Sequence, residues 1–173
     1  MKRLVTMSAL GLAAVSAAAA AARAPSAEHA VLVRLAGEYT LTARFRPAPG
    51  DEPIVSHLPA RRSLILDGRV LWLEVGPDSW GFRGTGLMGY DVAERRFWYV
   101  WTDTSTTGIA SLQGSLELDG AGRFEGTRPT PEGPTPLRVE IRREGRGEAH
   151  DYFVPAGRGD EHRYLELRYE PVE

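Results

Sequence analysis

The stretch Gly81–Asp91 reads GFRGTGLMGYD, and inside it Gly84, Gly86 and Gly89 spell G-x-G-x-x-G. A dinucleotide loop with this pattern lies between a buried strand and a helix, with an acid about 20 residues on to hold the ribose. Neither condition is met, because Tyr90 and the short DVAE connection lead straight into the β-rich run Phe97–Trp101. The glycines therefore belong to a strand and not to a phosphate cradle. Side chains alternate along a strand, so Gly84 and Gly86 point to one side and leave that face almost bare. If Asp91 pairs with Arg96 across the turn, Met88 faces Tyr99, Gly86 faces Trp101 and Gly84 faces Asp103. A register shifted by one residue would set Trp98 and Val100 there instead. A ring over a facing glycine is a recurrent sheet device, and glycine also permits the coiling that closes a barrel. Either the glycines only shape the barrel, or they also leave an internal hollow beside the rings.

On both sides of this hairpin the dominant period is two, with turn signals every several residues. Upstream, EYTLTARF alternates Tyr39, Leu41, Ala43 and Phe45 with polar partners until PAPGDEP breaks it. ARRSLILDGRVLWLEVG then reads as a hairpin whose Asp67-Gly68 pair suits a type I′ turn. Downstream, IASLQGSLELD and GRFEGTR flank GAG, PLRVEIRRE follows a proline-rich loop, and AHDYFVPA and HRYLELRYEP flank GRGDE. One short helix precedes the strands, where EHAVLVRLAGEY sets Val31, Leu32 and Leu35 on one face and Gly37 can stop it. The pattern predicts an all-β fold of nine or ten strands: a single antiparallel up-and-down β-barrel with a short N-terminal helix, in preference to a two-sheet sandwich.

The first residues, MKRLVTMSALGLAAVSAAAAAARAPSA, carry Lys2 and Arg3, an uncharged run rich in Leu, Val and Ala, and small residues suited to signal peptidase. Residues 1–24 are thus read as an export signal cleaved near Ala22 or Ala24, and residues 25–173 as the β-barrel domain. An Ala-heavy run followed directly by Arg23 and Pro25 is a poor stop-transfer segment. A periplasmic or secreted protein with no stable membrane insertion after signal removal is expected. About 150 residues then remain, enough for one domain burying roughly 70% of its unfolded surface.

The formal charge of -2, made more negative by losing Lys2 and Arg3, disfavours nucleic acid and anionic lipid as partners. Lys2 is the sole lysine, so the mature chain has no amine for a Schiff base or a phosphate loop. Cysteine is absent, which excludes thiol nucleophiles, thiolate zinc sites, iron–sulfur clusters and disulfides. Asparagine is absent too, which excludes N-glycosylation. No cofactor is expected, and nothing in the sequence fixes an oligomeric state.

GTGLMGYD followed by FWYVWTDTS, with LAGEY and DGR upstream and HDYF then YLELRY at the end, resembles a bacterial family catalogued as domain of unknown function 1579. The likeness runs from about Leu35 to Tyr169, and its most specific parts are Gly89-Tyr90-Asp91 and Trp101-Thr102-Asp103. Where the family commonly has Trp, this chain has Tyr39. The resemblance implies an exported or soluble barrel akin to lipocalin and calycin folds, and carries no established reaction.

Asp103 ends an aromatic strand and Glu74 shares a face with Trp72, so two carboxylates are candidates to approach the interior beside indoles, where burial would raise a pKa. Against this, the hydroxyl-rich TDTSTTG invites Asp103 to cap its own turn. His29, His57, His150 and His162 show neither H-x-H nor H-E-x-x-H spacing, so no metal is expected and the histidines are placed on the surface. His150 and Asp151, adjacent on a strand, point to opposite faces. Ser79 in GPDSWG misses the nucleophile elbow because Pro77 occupies the wrong place and no helix follows. Arg158-Gly159-Asp160 reads as a charged turn.

Trp72, Trp80, Trp98, Tyr99 and Trp101 form the densest feature of the chain. Trp80 sits where a barrel mouth would be, and Arg83 on the same strand is a candidate partner for an acidic headgroup. The expected function is binding of a small apolar or amphipathic molecule in a pocket lined by Met88, Tyr99, Trp101 and Asp103. Trp72, Glu74, Trp80, Arg83, Gly84 and Gly86 complete the candidate set. Its rivals are an enzyme of the same shape using Asp103 or Glu74 for proton transfer, and a non-catalytic envelope adaptor presenting exposed aromatics.

Overall fold

A computed structural model of the chain describes residues 25–106 and 108–173; the export signal read at residues 1–24 lies outside the described residues. Among the described residues one helix, α1 (His29–Leu35), precedes β1 (Gly37–Phe45), β2 (Ile54–Ile65), β3 (Val70–Val75), β4 (Gly84–Asp91) and β5 (Arg96–Asp103). The ring continues through β6 (Ala110–Leu116), β7 (Gly122–Arg128), β8 (Thr135–Glu144), β9 (Gly147–Gly157) and β10 (Asp160–Pro171). Each strand pairs antiparallel with the next, and β1 pairs with β10 to close the barrel. Closure leaves no free edge on which another chain could add a strand.

The glycine hairpin has Asp91 opposite Arg96, Met88 opposite Tyr99, Gly86 opposite Trp101 and Gly84 opposite Asp103. The indole of Trp101 lies across both glycines inside the barrel. A Cβ on Gly84 would stand 2.0 Å from its Cζ2, and one on Gly86 would stand 2.9 Å from its Cε3. Trp98, of opposite parity, covers Gly89 from outside in the same way.

Two elements differ from the sequence reading. β2 begins at Ile54, well before the ARRSLIL run, because Pro59 does not interrupt it: its carbonyl accepts the Gly76 N–H at 2.9 Å, and the flanking residues keep pairing with β1. The β2–β3 connection is wider than a type I′ turn. Ile65 pairs with Val70, and Leu66, Asp67 and Gly68 all take positive φ, at 51°, 55° and 80°.

The helix closes one end of the barrel. Val31, Leu32 and Leu35 are buried against the core, the Tyr39 hydroxyl donates to the Leu35 carbonyl at 3.0 Å, and Arg34 donates to the Leu118 carbonyl in the β6–β7 turn. His29 is buried beside it, its Nδ1 2.9 Å from both the Ser26 amide and hydroxyl and its ring edge-on to Tyr90. The opposite end, where β1, β3, β5, β7 and β9 finish, carries the longer loops. Among the described residues no helix is long and apolar enough to cross a membrane. Outside, β8–β10 carry an arginine–carboxylate lattice in which Asp151 pairs with Arg142 and Arg163, and Glu166 with Arg44 and Arg168.

Candidate functional site

Strand alternation decides what reaches the interior, and at the open end it leaves a cavity of about 520 Å³. Its walls are mainly apolar and aromatic: Leu41, Leu58, Leu112, Leu137 and Leu167 toward the floor, Trp101 and Phe82 toward the mouth. That volume lies within the range typical of small-molecule sites. Four phenols, Tyr99, Tyr152, Tyr164 and Tyr169, line it. Burial pushes all four pKa values up, so they stay protonated at neutral pH.

Tyr164 is there because of a β-bulge. The register between β9 and β10 shifts between Arg163 and Leu165, and both Tyr164 and Leu165 line the cavity where strict alternation would admit one of them.

The charged residues of the lining are Asp78, Asp103 and Arg128. Asp103 Oδ1 accepts the Ser105 and Thr106 amides at 2.9 and 3.1 Å, and Oδ2 accepts the Trp101 indole N–H at 3.0 Å. It therefore caps its own turn while fixing the indole. Burial alone would raise its pKa, but the bonds from Ser105 and Trp101 outweigh that and lower it, holding the carboxylate ionised. Asp78 caps the β3–β4 loop likewise, its Oδ1 accepting the Trp80 and Phe82 amides at 2.8 and 2.9 Å. Arg128 is different. Its Cζ lies 4.5 Å above the centre of the Tyr164 ring, and its Nε is buried with no hydrogen-bond partner.

A second polar cluster lies inside the barrel beyond the cavity. Arg62, 4% exposed, is stacked between the rings of Tyr39 and Tyr169, with its Cζ 4.7 and 4.1 Å from their centres. Its Nη1 donates to Glu148 Oε2 at 2.9 Å, the same oxygen that lies 2.9 Å from His150 Nε2. Arg143 reaches the other oxygen, Oε1, at 3.2 Å. Burial would raise the Glu148 pKa, yet His150 and Arg62 hold it down at about 2. Burial lowers the His150 pKa against the pull of Glu148, so the imidazole is neutral and donates from Nε2. His29 and His150 are thus interior residues and correct the expectation of surface histidines; His57 is exposed, and Asp151 faces outward, opposite to His150. Among the described residues no three metal-ligating side chains converge.

Of the candidate residues, Tyr99, Trp101 and Asp103 line the cavity, and Gly84 and Gly86 lie beneath the Trp101 ring. Met88 is in the core, 3% exposed, below the cavity floor. Trp72 and Glu74 do share a face, but it is the outer one, because Leu71, Leu73 and Val75 take the inward positions of β3. Trp72 instead donates to Thr85 Oγ1 at 2.8 Å on the barrel surface. Trp80 is in a mouth loop but 88% exposed, and the Arg83 side chain also faces solvent, so neither lines the cavity. Arg128, Tyr152 and Tyr164 were outside the candidate set. Parity with Phe124 in GRFEGTR marks Arg128 as inward, whereas the bulge that admits Tyr164 has no signature in HRYLELRY.

A family model described as protein of unknown function, DUF1579, matches residues 24–169, nearly the whole chain. No curated protein matches it.

Proposed function

The chain belongs to the DUF1579 family of proteins of unknown function, and we propose that it is an exported barrel that binds one small, partly apolar molecule. The observation that carries this reading is the open cavity of about 520 Å³, walled by leucines and aromatic rings and fitted with a few convergent polar groups. A carrier needs apolar area that water covers poorly and a ligand covers well, and it needs a wall that does not collapse when empty. The indole of Trp101, braced by Asp103 and seated on Gly84 and Gly86, is such a wall. Export is supported by the sequence of residues 1–24.

The rival acid–base reading needs a carboxyl with a raised pKa in the cavity. Asp103 is held below the usual range, and Glu74 sits on the outer face, which removes its motive. The binding reading is tested by titrating the mature protein with 8-anilinonaphthalene-1-sulfonate while following the probe's own emission, beside the variant Ala43→Phe, which extends a ring into the cavity from β1. Saturable binding by the wild type, weakened at least about tenfold in a folded Ala43→Phe, is the expected result. Equal binding by both proteins would place the probe elsewhere and remove the reading.

A further inference from the structure

The cavity's charges are not alike. Asp78 and Asp103 each point a carboxylate oxygen at backbone amides of their own turns, and the second oxygen of Asp103 holds the Trp101 indole. Their negative charge is therefore met by donors the protein supplies. Arg128 has no such complement, since no carboxylate among the described residues pairs with it and its buried Nε donates to nothing. A buried guanidinium Nε–H left without an acceptor in a mainly apolar wall is costly unless something else accepts from it. It is also positioned as a recognition element. β7 delivers it to the mouth end of the cavity, and the bulge in β10 brings the Tyr164 ring beneath its Cζ, 4.5 Å from the ring centre.

Resting on the binding reading above, we infer that the ligand is an amphipathic anion: an oxyanion headgroup held by Arg128 near the mouth, with the apolar body reaching down toward Leu112, Leu137 and Leu167. A carboxylate matches the planar fork in a bidentate pair, and a phosphate or sulfate ester presents the same oxygens. The Tyr164 hydroxyl, protonated at neutral pH, is a second donor beside Arg128. The apolar body then covers the leucine floor, while the headgroup stays near solvent and avoids the full cost of burying an ion.

The test is isothermal titration of the mature protein with decanoate, decanol and decyltrimethylammonium, with decyl phosphate as a further arm. Decanoate is expected to bind at least about tenfold more tightly than decanol, and decyltrimethylammonium more weakly than either. Arg128→Gln should bring decanoate to the affinity of decanol while leaving decanol unchanged, and Arg128→Lys should keep part of the preference. Decyl phosphate binding as well as decanoate supports a site for oxyanions in general; much weaker binding assigns it to carboxylates. Equal affinity of the wild type for decanoate and decanol would overturn the inference and leave the cavity reading standing, and this comparison decides even if Arg128→Gln does not fold. A preference unchanged in a folded Arg128→Gln overturns it equally. Failure of every probe to bind would remove the cavity reading together with the headgroup.

Discussion

At Gly84 the absent side chain and the ring of Trp101 compete for one place, since a Cβ would stand 2.0 Å from the indole Cζ2. Gly84→Ala must therefore push the ring off its bond to Asp103 or spread β4 from β5. Overpacking of this kind costs about 1–3 kcal/mol, and a urea titration read by Trp fluorescence should show that loss with an altered native spectrum. An unchanged midpoint would mean that the indole has another place to go. The buried pair at Glu148 makes a different kind of residue-scale claim. Glu148→Gln leaves Arg62 charged, buried and without a counterion, a change expected to cost about 3–5 kcal/mol, measurable in the same experiment. Alternation along β5 and β4 made the Trp101 site readable in the sequence. Arg62 was not readable, because an arginine in ARRSLILDG looks like any surface arginine until Tyr39, Tyr169 and Glu148, from three other strands, are seen to surround it.

Helix α1 and the bulged strand β10 contribute at the scale of elements. α1 has seven residues, too few to hold a helix alone, so it persists because Val31, Leu32 and Leu35 are buried against the core at the barrel end. Leu32→Ala should cost about 2–5 kcal/mol in stability and expose the core at that end, readable as faster amide exchange at Tyr90 and Phe97 while the mouth is unaffected. Protection retained at those amides would show that the helix is not the plug. The hairpin order of the strands was legible because nearly every connection is short and turn-rich. What escaped was where regularity fails: Pro59 inside β2, and the bulge that adds Tyr164 to the cavity. Both depend on neighbouring strands, so no local propensity announces them.

Across the whole molecule, buried titrating groups set how the barrel responds to acid. Burial keeps His150 neutral in the fold despite Glu148, whereas the unfolded chain takes up a proton near its ordinary pKa of about 6.5. The unfolded state then binds more protons, so stability falls as pH drops below about 6.5. His29, lowered by burial and by Arg69, adds to the loss in the same direction. Glu148 acts further down: held at about 2 in the fold against an ordinary 4.5, it contributes stability that is present above about 4.5 and lost as pH falls toward 2. Urea midpoints followed from pH 8 to pH 3 should decline in two stages, and His150→Gln should shrink the upper one. A flat profile between pH 7 and 5 would contradict the burial of a neutral His150.

The chain carries four tryptophans, and the structure gives them different surroundings: Trp101 on the cavity wall, Trp98 over Gly89 on the outer face, Trp72 on the barrel surface and Trp80 in solvent. Their indole N–H resonances, followed by NMR as decanoate is added to the protein, are four separate reporters in one sample. A saturable shift of Trp101 with Trp72 and Trp98 holding still is expected from a ligand inside the barrel. No saturable shift at Trp101, or the same drift at all four, would contradict a hollow that binds.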